Sequence, residues 1–366
     1  MRILLVSGSF PPMPCGVGDY TSMLARSLAQ RKNTRVAVLT HVKGRFRESD
    51  CALDILPGAN GWRLAEAGRI ARDVRNWSPD VIHFQYPGRE YGVLQCVLPM
   101  LFRLMGYPVF LTLHEYYAIH GFRSLLTAML HLPNLFASLG VVVTREEYEE
   151  LVPRMYARIL RRRPIRHIPV ASSIPTAPLD DPERFEVRRR YGIPSGPLLS
   201  YFGFVSPEKG LEDLIRIADP GSHRIALLCD LDKSDPYQRK IIDTIGTPPW
   251  KGRVTVTGFL PDIEVGRIMA ASDAIVFPFR NGASTGNSSL HGALAQGTFT
   301  LTTSRTRHGY DPENNVYFSR PGDIEEMSAA LAAYAGRRIP RERDFRERAW
   351  RRIADAHIGF YTPQID

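Results

Sequence analysis

Residues 277–297 read FPFRNGASTGNSSLHGALAQG. An apolar run, Ala274-Ile275-Val276-Phe277, leads into a stretch rich in Gly, Ser and Asn, and Leu290-His291-Gly292-Ala293-Leu294-Ala295 then has a helical pattern. A loop that opens a helix exposes free amide N–H groups and the positive end of the helix dipole. That chemistry suits a phosphate or diphosphate. A second such turn, Gly203-Phe204-Val205-Ser206-Pro207-Glu208-Lys209-Gly210, also lies between a strand-like and a helix-like stretch. Lys209 would meet a diphosphate there as a point charge. A cation at a helix start opposes the dipole, which favours a ligand role over a purely structural one. Two anion-competent turns in one half of a chain suggest a nucleoside diphosphate ligand.

The first half offers two more candidates. In the first turn, Ser7 to Tyr20, Gly16 and Gly18 would let backbone approach a ligand just before a helix. The turn is not G-x-G-x-x-G, so a dinucleotide fingerprint is absent. His114 and Glu115 follow the apolar run 109–113 and stand at the carboxyl end of an expected strand. His114 could bond a sugar hydroxyl or the reacting region. Ala118 replaces the second His of H-E-x-x-H, so a zincin is excluded. A lone histidine can also be a satisfied core residue, and that reading stays open.

These residues need a scaffold that presents strand ends side by side. Apolar runs at 2–7, 35–40, 81–85, 109–113, 139–144 and 166–169 alternate with helical patterns near 17–30, 63–76, 92–105, 119–136 and 145–160. That order predicts βαβ units and a parallel sheet. Residues 170–182, VASSIPTAPLDDP, read as a linker. The plan repeats with strands at 197–203, 224–229, 253–257, 273–278 and 298–303. The expected fold class is therefore α/β, with two Rossmann-like doubly wound parallel-sheet domains, 1–172 and 173–340, facing across a cleft. Ligands in such sheets bind outside the strand carboxyl ends. In the closing segment 341–366, Phe345, Ala349, Ile353 and His357 recur every fourth residue with Trp350 beside them, a stripe that can dock on the first domain.

A chain of 366 residues with 44% hydrophobic and 23% charged residues has the composition of a two-domain globular protein. Cys15, Cys51, Cys96 and Cys229 are far apart and form no C-x-x-C pair, which argues against structural zinc and disulfides and for a reducing, cytoplasmic setting. The apolar stretch 125–143 is interrupted by His131, Pro133 and Asn134, too often for a spanning helix. Residues 1–172 hold 22 Lys and Arg against 13 Asp and Glu, whereas residues 173–366 hold 25 of each, so the net charge of +9 sits in the first half. It includes Arg154, Arg158, Arg161, Arg162, Arg163 and Arg166. A one-sided basic half suggests an anionic acceptor or an anionic membrane surface, with an ordinary solvated face as the plain alternative. No nucleic-acid-binding signature is present.

Taken together, SGSFPPMPCGVGDYTSMLARSLAQ, the turn GFVSPEKG, Gly258-Phe259-Leu260-Pro261, SDAIVFPF and the Gly/Ser loop opening into ALAQG resemble family 4 of the glycosyltransferases over essentially the whole chain. The resemblance implies the GT-B fold and metal-independent, retaining transfer of a sugar from a nucleoside diphosphate sugar, with no cofactor. It implies that Lys209 neutralises the diphosphate, and that Ser288, Ser289 and Leu290 open the helix whose amides hold phosphate oxygens. Thr285, Gly286 and Asn287 would face the donor sugar. Gly258, Phe259 and Leu260 would lie near the base, Gly16 near the phosphates and His114 near the transferred sugar. The family commonly has two glutamates where this chain has Ser284 and Gly292, and an arginine where it has Phe204; Arg280 is a candidate replacement cation. Acceptors compatible with this reading are a saccharide, as in polysaccharide biosynthesis, a lipid-linked glycan at the inner face of the cytoplasmic membrane, or a small molecule. The alternative is an inactive relative that binds nucleotide or glycan as a partner module.

Overall fold

The computed structural model describes residues 1–13, 15–44, 53–56, 58–86, 97–115, 132–155 and 163–365. The chain divides into two compact units, Met1–Ala171 with Glu347–Asp366, and Ser172–Arg346. Most of the expected helix 119–136, Cys51, Cys96, Arg158, Arg161 and Arg162 lie outside the described residues.

The first unit holds a seven-stranded sheet: β1 Arg2–Ser7, β2 Arg35–Leu39, β3 Leu53–Ile55, β4 Val81–Tyr86, β5 Val109–Leu113, β6 Gly140–Val143 and β7 Ile165–His167. The order is β3-β2-β1-β4-β5-β6-β7, and every neighbouring pair is parallel. The central strands are apolar on both faces because both faces are covered. One face carries Leu4, Val6, Ile82 and Phe84 against Trp62, Ile70, Val74 and Phe102. The other carries Ile3, Leu5, Val36, Val38 and Phe110 against Tyr20, Leu24 and Leu28 of the helix Gly16–Ala29. That second face is completed by the last helix, Phe345–Ile365, through Trp350, Ile353, Ala354, Phe360 and Tyr361. The helix runs past Ile358, where the sequence pattern fades, because Phe360 and Tyr361 are themselves core residues.

The second unit holds β8 Leu198–Phe202, β9 Arg224–Leu228, β10 Val254–Val256, β11 Ala274–Phe277, β12 Thr300–Thr303, β13 Gly309–Asp311 and β14 Val316–Ser319. The order is β10-β9-β8-β11-β12-β14-β13. All pairs are parallel except β13 with β14, so this sheet is not wholly parallel as expected. The hairpin turns at Asn315, which has φ +51° and whose side-chain amide donates to Gly297 O at 3.0 Å and Arg337 O at 2.9 Å.

The two sheets share one wiring. Successive strands are laid down outward from β1 or β8, and the chain then crosses back to start again beside that strand with β4 or β11. Loops leaving β1 and β4, or β8 and β11, therefore diverge to opposite faces and leave a crevice at the strand carboxyl ends. Every candidate named above, in either unit, belongs to or borders a loop at a strand carboxyl end or the first turn of the helix that follows.

Candidate functional site

In the second unit the two anion-competent turns follow the adjacent strands β8 and β11 and are built against each other. Pro207–Lys209 forms a 3-10 turn that ends at Gly210 with φ +66°. A Cβ at Gly210 would collide with the carbonyl oxygen of Pro278. Only glycine supplies both the left-handed backbone and the missing side chain there. The Arg280 amide then donates to Glu208 O at 3.0 Å, tying one turn to the other. Lys209 Nζ stands 4.9 Å from the centre of the Phe279 ring, a cation–π contact with the first residues of the second loop.

Arg280 does not act as a replacement phosphate cation in this arrangement. Its guanidinium is paired with Glu212, whose carboxylate also accepts from the Tyr237 hydroxyl. The Glu212 hydrogen bond and charge hold the Arg280 pKa above its ordinary value. Burial pushes Glu212 up, but the bonds from Tyr237 and Arg280 outweigh it and leave the carboxyl below the usual range.

The loop before the helix Ser288–Leu294 is organised by its own side chains. Asn287 is the N-cap residue, yet its Oδ1 accepts from the Ser284 amide at 2.7 Å and lies 3.1 Å from Ser284 Oγ, and it does not cap the helix. The Asn287 amide donates to Ser284 O and the Leu290 amide to Asn287 O, both at 3.1 Å. Thr285 O faces His291 Nε2 at 3.3 Å, and the Gly286 amide faces Ser284 Oγ at 3.4 Å. Of the amides at 287–290, those of Ser288 and Ser289 are thus the two left for a ligand, since a first helical turn has no internal acceptor for them. Ser284, where the family has a glutamate, is the residue that shapes this loop.

Gly292 faces the segment that enters the unit. A Cβ there would lie 2.7 Å from Ser172 Oγ and 3.3 Å from Ile174. A larger side chain at 292 would be driven into that packing. Gly258 has φ +69° with open space around it, and the Phe259 ring is 67% exposed while Leu260 packs on the core. Phe204, in place of the family arginine, is 49% exposed, with its carbonyl held by the buried Tyr201 hydroxyl at 2.9 Å.

In the first unit Gly16 and Gly18 differ. A Cβ at Gly16 would meet nothing within 4 Å, so backbone at the helix start is open to approach. Gly18 is buried, and a Cβ there would lie 3.1 Å from Ser9 backbone and 3.2 Å from Phe10 Cα. Gly18 therefore serves close packing of the helix on the first turn. His114 caps β5, its amide donating to Tyr86 O at 2.8 Å. Its Nε2 lies 2.9 Å from Gln85 Oε1, and its ring meets Tyr20 edge-on at 4.7 Å. Burial, aided by the charge His357 would carry, lowers the His114 pKa to about 3, so the ring is neutral near pH 7. Below it, His83 bonds Tyr361 through Nδ1 and Thr112 through Nε2 at 2.8 Å. The residues the motif reading missed here are Gln85, Tyr20 and Tyr361. Its available signal was His83 and Gln85 at alternate positions of an otherwise apolar strand, the mark of two polar groups on one buried face.

A cavity of about 410 Å³ lies at the amino ends of the central strands β8 and β11, lined by Arg184, Arg188, Arg338, Asp273 and Phe185. Arg188 and Arg338 bond the carbonyls of Ala270, Ala271 and Ser272, so they close the C-terminal end of the helix Asp262–Ala271. This is a structural arrangement remote from Lys209. Among the described residues no group of three His, Cys, Asp or Glu is placed to hold a metal ion.

No family model matches the chain. It is 28% identical over 266 residues to a 2-deoxystreptamine N-acetyl-D-glucosaminyltransferase of Streptomyces fradiae, covering 70% of this chain and 62% of that protein. It is 24% identical over 239 residues to a 2-deoxystreptamine glucosyltransferase of Streptomyces kanamyceticus, covering 61% and 60%. The matched region thus spans less than two thirds of either curated relative. Among solved structures, a sucrose-phosphate synthase from Thermosynechococcus elongatus superposes with TM-score 0.72 at 18% identity, covering 99% of this chain and 98% of the other. HepE of Anabaena, solved with UDP and glucose, superposes with TM-score 0.67 at 14% identity, covering 100% and 96%. The second comparison, like the first, establishes the fold. By fold the chain is thus similar to GT-B glycosyltransferases, and by sequence to curated glycosyltransferases.

Proposed function

We propose that this protein transfers a sugar from a nucleoside diphosphate sugar to a small polar acceptor, with retention at the anomeric carbon and without a metal ion. The observation that carries the reading is the joining of two anion-competent turns at one switch point. Lys209 contacts Phe279, in the loop that runs on to the helix start at Ser288 and Ser289. Structures of similar fold contain UDP, UDP-glucose or ADP, which supports a nucleotide-sugar donor. The curated relatives are named for transfer to 2-deoxystreptamine, an aminocyclitol, which favours a small-molecule acceptor over a growing polysaccharide.

In the proposed step the bond from the anomeric carbon to the diphosphate oxygen breaks and a bond to the acceptor oxygen forms on the same face. The acceptor proton leaves with the diphosphate. Charge grows on the diphosphate as its bond breaks, and a preorganised ammonium and amides are worth most at that moment. In the second unit, Lys209 and the amides of Ser288 and Ser289 have that role. In the first unit, Gly16 leaves backbone open at the helix start, and His114, neutral near pH 7, can hydrogen-bond a hydroxyl but brings no positive charge. Phe259, largely exposed beside the flexible Gly258, suits contact with the base. The test is product analysis with a panel of UDP-, GDP- and ADP-sugars and aminocyclitol acceptors. Glycoside formation supports the proposal; binding of a donor without transfer or hydrolysis would support the inactive alternative.

Membrane contact is a second reading favoured by one observation. Leu104, Phe136 and Leu151 are 79%, 49% and 42% exposed in the basic first unit, and Arg103 and Arg163 are close enough for their charges to interact. Absence of co-sedimentation with anionic vesicles at low salt would remove it.

A further inference from the structure

We infer that Gln85 is a positioning residue for His114, fixing which ring nitrogen carries the proton. The inference rests on the reading that His114 works beside the transferred sugar. Gln85 is fully buried at the end of β4, in register with Ser7 of β1 and Thr112 of β5. Its Oε1 lies 2.9 Å from His114 Nε2. A carbonyl oxygen can only accept, so Nε2 is the protonated nitrogen and Nδ1 keeps its lone pair. The remaining contacts fix the plane of the ring and its backbone. Tyr20 packs its edge at 4.7 Å, the His114 amide is held by Tyr86 O at 2.8 Å, and Thr144 Oγ1 lies 3.3 Å from His114 O.

The other end of the Gln85 carboxamide shows why this is more than core filling. Among the described residues, Gln85 Nε2 is buried without a hydrogen-bond partner, as are the Tyr20 hydroxyl and His357 Nε2. Burying an unmatched N–H is unfavourable, and an apolar side chain at 85 would avoid it. The chain keeps the amide and uses its oxygen on one atom, His114 Nε2–H. The titratable groups around the ring are Tyr20 from the helix Gly16–Ala29, His83 from β4, Glu115 next in the chain, and His357 and Tyr361 from the last helix. Among them, Tyr20, His83, His357 and Tyr361 are buried.

Two full-length variants test this. Gln85→Leu removes the acceptor, and Gln85→Glu keeps the shape but presents a carboxylate. Long-range proton–nitrogen NMR of the imidazoles reads the tautomer directly. The wild type is expected to hold His114 as the Nε2–H form from pH 5 to 8. Gln85→Leu is expected to give mixed tautomers, and Gln85→Glu to raise the His114 proton affinity so that the ring titrates within that range. In transfer assays kcat is expected to fall about 10- to 100-fold in Gln85→Leu with the donor KM little changed. Gln85→Glu is expected to gain an acid limb in its pH–rate profile that the wild type lacks. An unchanged His114 tautomer in both variants would overturn the inference, as would full kcat in a folded Gln85→Leu whose tautomers are mixed. A tautomer shift in a wild-type background that transfers no sugar would leave the positioning role standing and remove the functional reading instead.

Discussion

Around β8 and β11 the polar groups stand on the turns and first helical residues after the strands and carry charge: Lys209, Glu212 and Arg280. Around β4 and β5 they stand on strands and packed helices and are neutral: Gln85, Thr112, His83, His114, Tyr20 and Tyr361. The difference follows from solvation. A charge persists where water or a partner supports it, as Glu212 supports Arg280. In a core, desolvation removes the charge and moves the pKa, as at His83, His114 and His357. The same wiring thus carries one charged switch point and one neutral one; under the proposed function the first meets the diphosphate and the second hydroxyl groups.

Breaking the charged side should have the largest effect. Lys209→Ala is expected to lower transfer about 100- to 1,000-fold, since one preorganised donor contributes on that scale. Initial rates check it, and an unmoved melting temperature shows that the fold is intact. The neutral side should show itself through pH. His83, His114 and His357 stay neutral when folded and regain a pKa near 6.5 when unfolded, so the unfolded chain binds more protons below that pH. Their contribution is harmless above about pH 6.5 and becomes a growing penalty as pH falls toward the folded values, about 3 for His114 and about 4 for His357. Urea midpoints measured from pH 7 to 4.5 should fall, with a slope approaching three protons. Local probes should show the first unit weakening before the second, whose one similarly shifted histidine is His291.

Smaller effects sharpen the comparison. Gly210→Ala combines left-handed backbone with a collision against Pro278 and should cost about 2–4 kcal/mol, seen by denaturant unfolding. Nucleotide binding should weaken with it, because the two turns separate. Gly18→Ala should cost about 1–3 kcal/mol through overpacking on Ser9 and Phe10. Gly16→Ala should leave stability near its wild-type value and affect only donor affinity, measured by calorimetry with nucleoside diphosphates.

The strands were legible because a doubly covered sheet demands long apolar runs, and RILLVS, VFLTL and AIVF supply them. β3, β13 and β14 were not, because Leu53-Asp54-Ile55, Gly309-Tyr310-Asp311 and Val316-Tyr317-Phe318-Ser319 are too short to show a period; β3 and β13 are edge strands. The edge position of each comes from its neighbour's pairing and not from its own pattern. Lys209 was legible because a Pro-Glu-Lys-Gly turn after a strand can be read locally. The fate of Arg280 could not be read that way, since Glu212 lies 68 residues earlier and only the adjacency of β8 and β11 brings them together. Gly16 and Gly18 look alike in a motif, and only the position of Ser9 tells them apart. The tight fit at Gly292 showed only when Ser172 was found against it.

The polypeptide leaves the first unit after Ala171 and re-enters it near Glu347. Trp350, Ile353, Phe360 and Tyr361, which seal one face of the first sheet, are therefore synthesised only after the whole of the second unit. While a ribosome is still elongating, the inserted half can fold as a continuous stretch, but the amino-terminal half waits with its apolar wall and the His83 region unsealed. A nascent chain arrested before residue 345 should accordingly be a chaperone client, and deletion of residues 345–366 should harm the first unit more than the second.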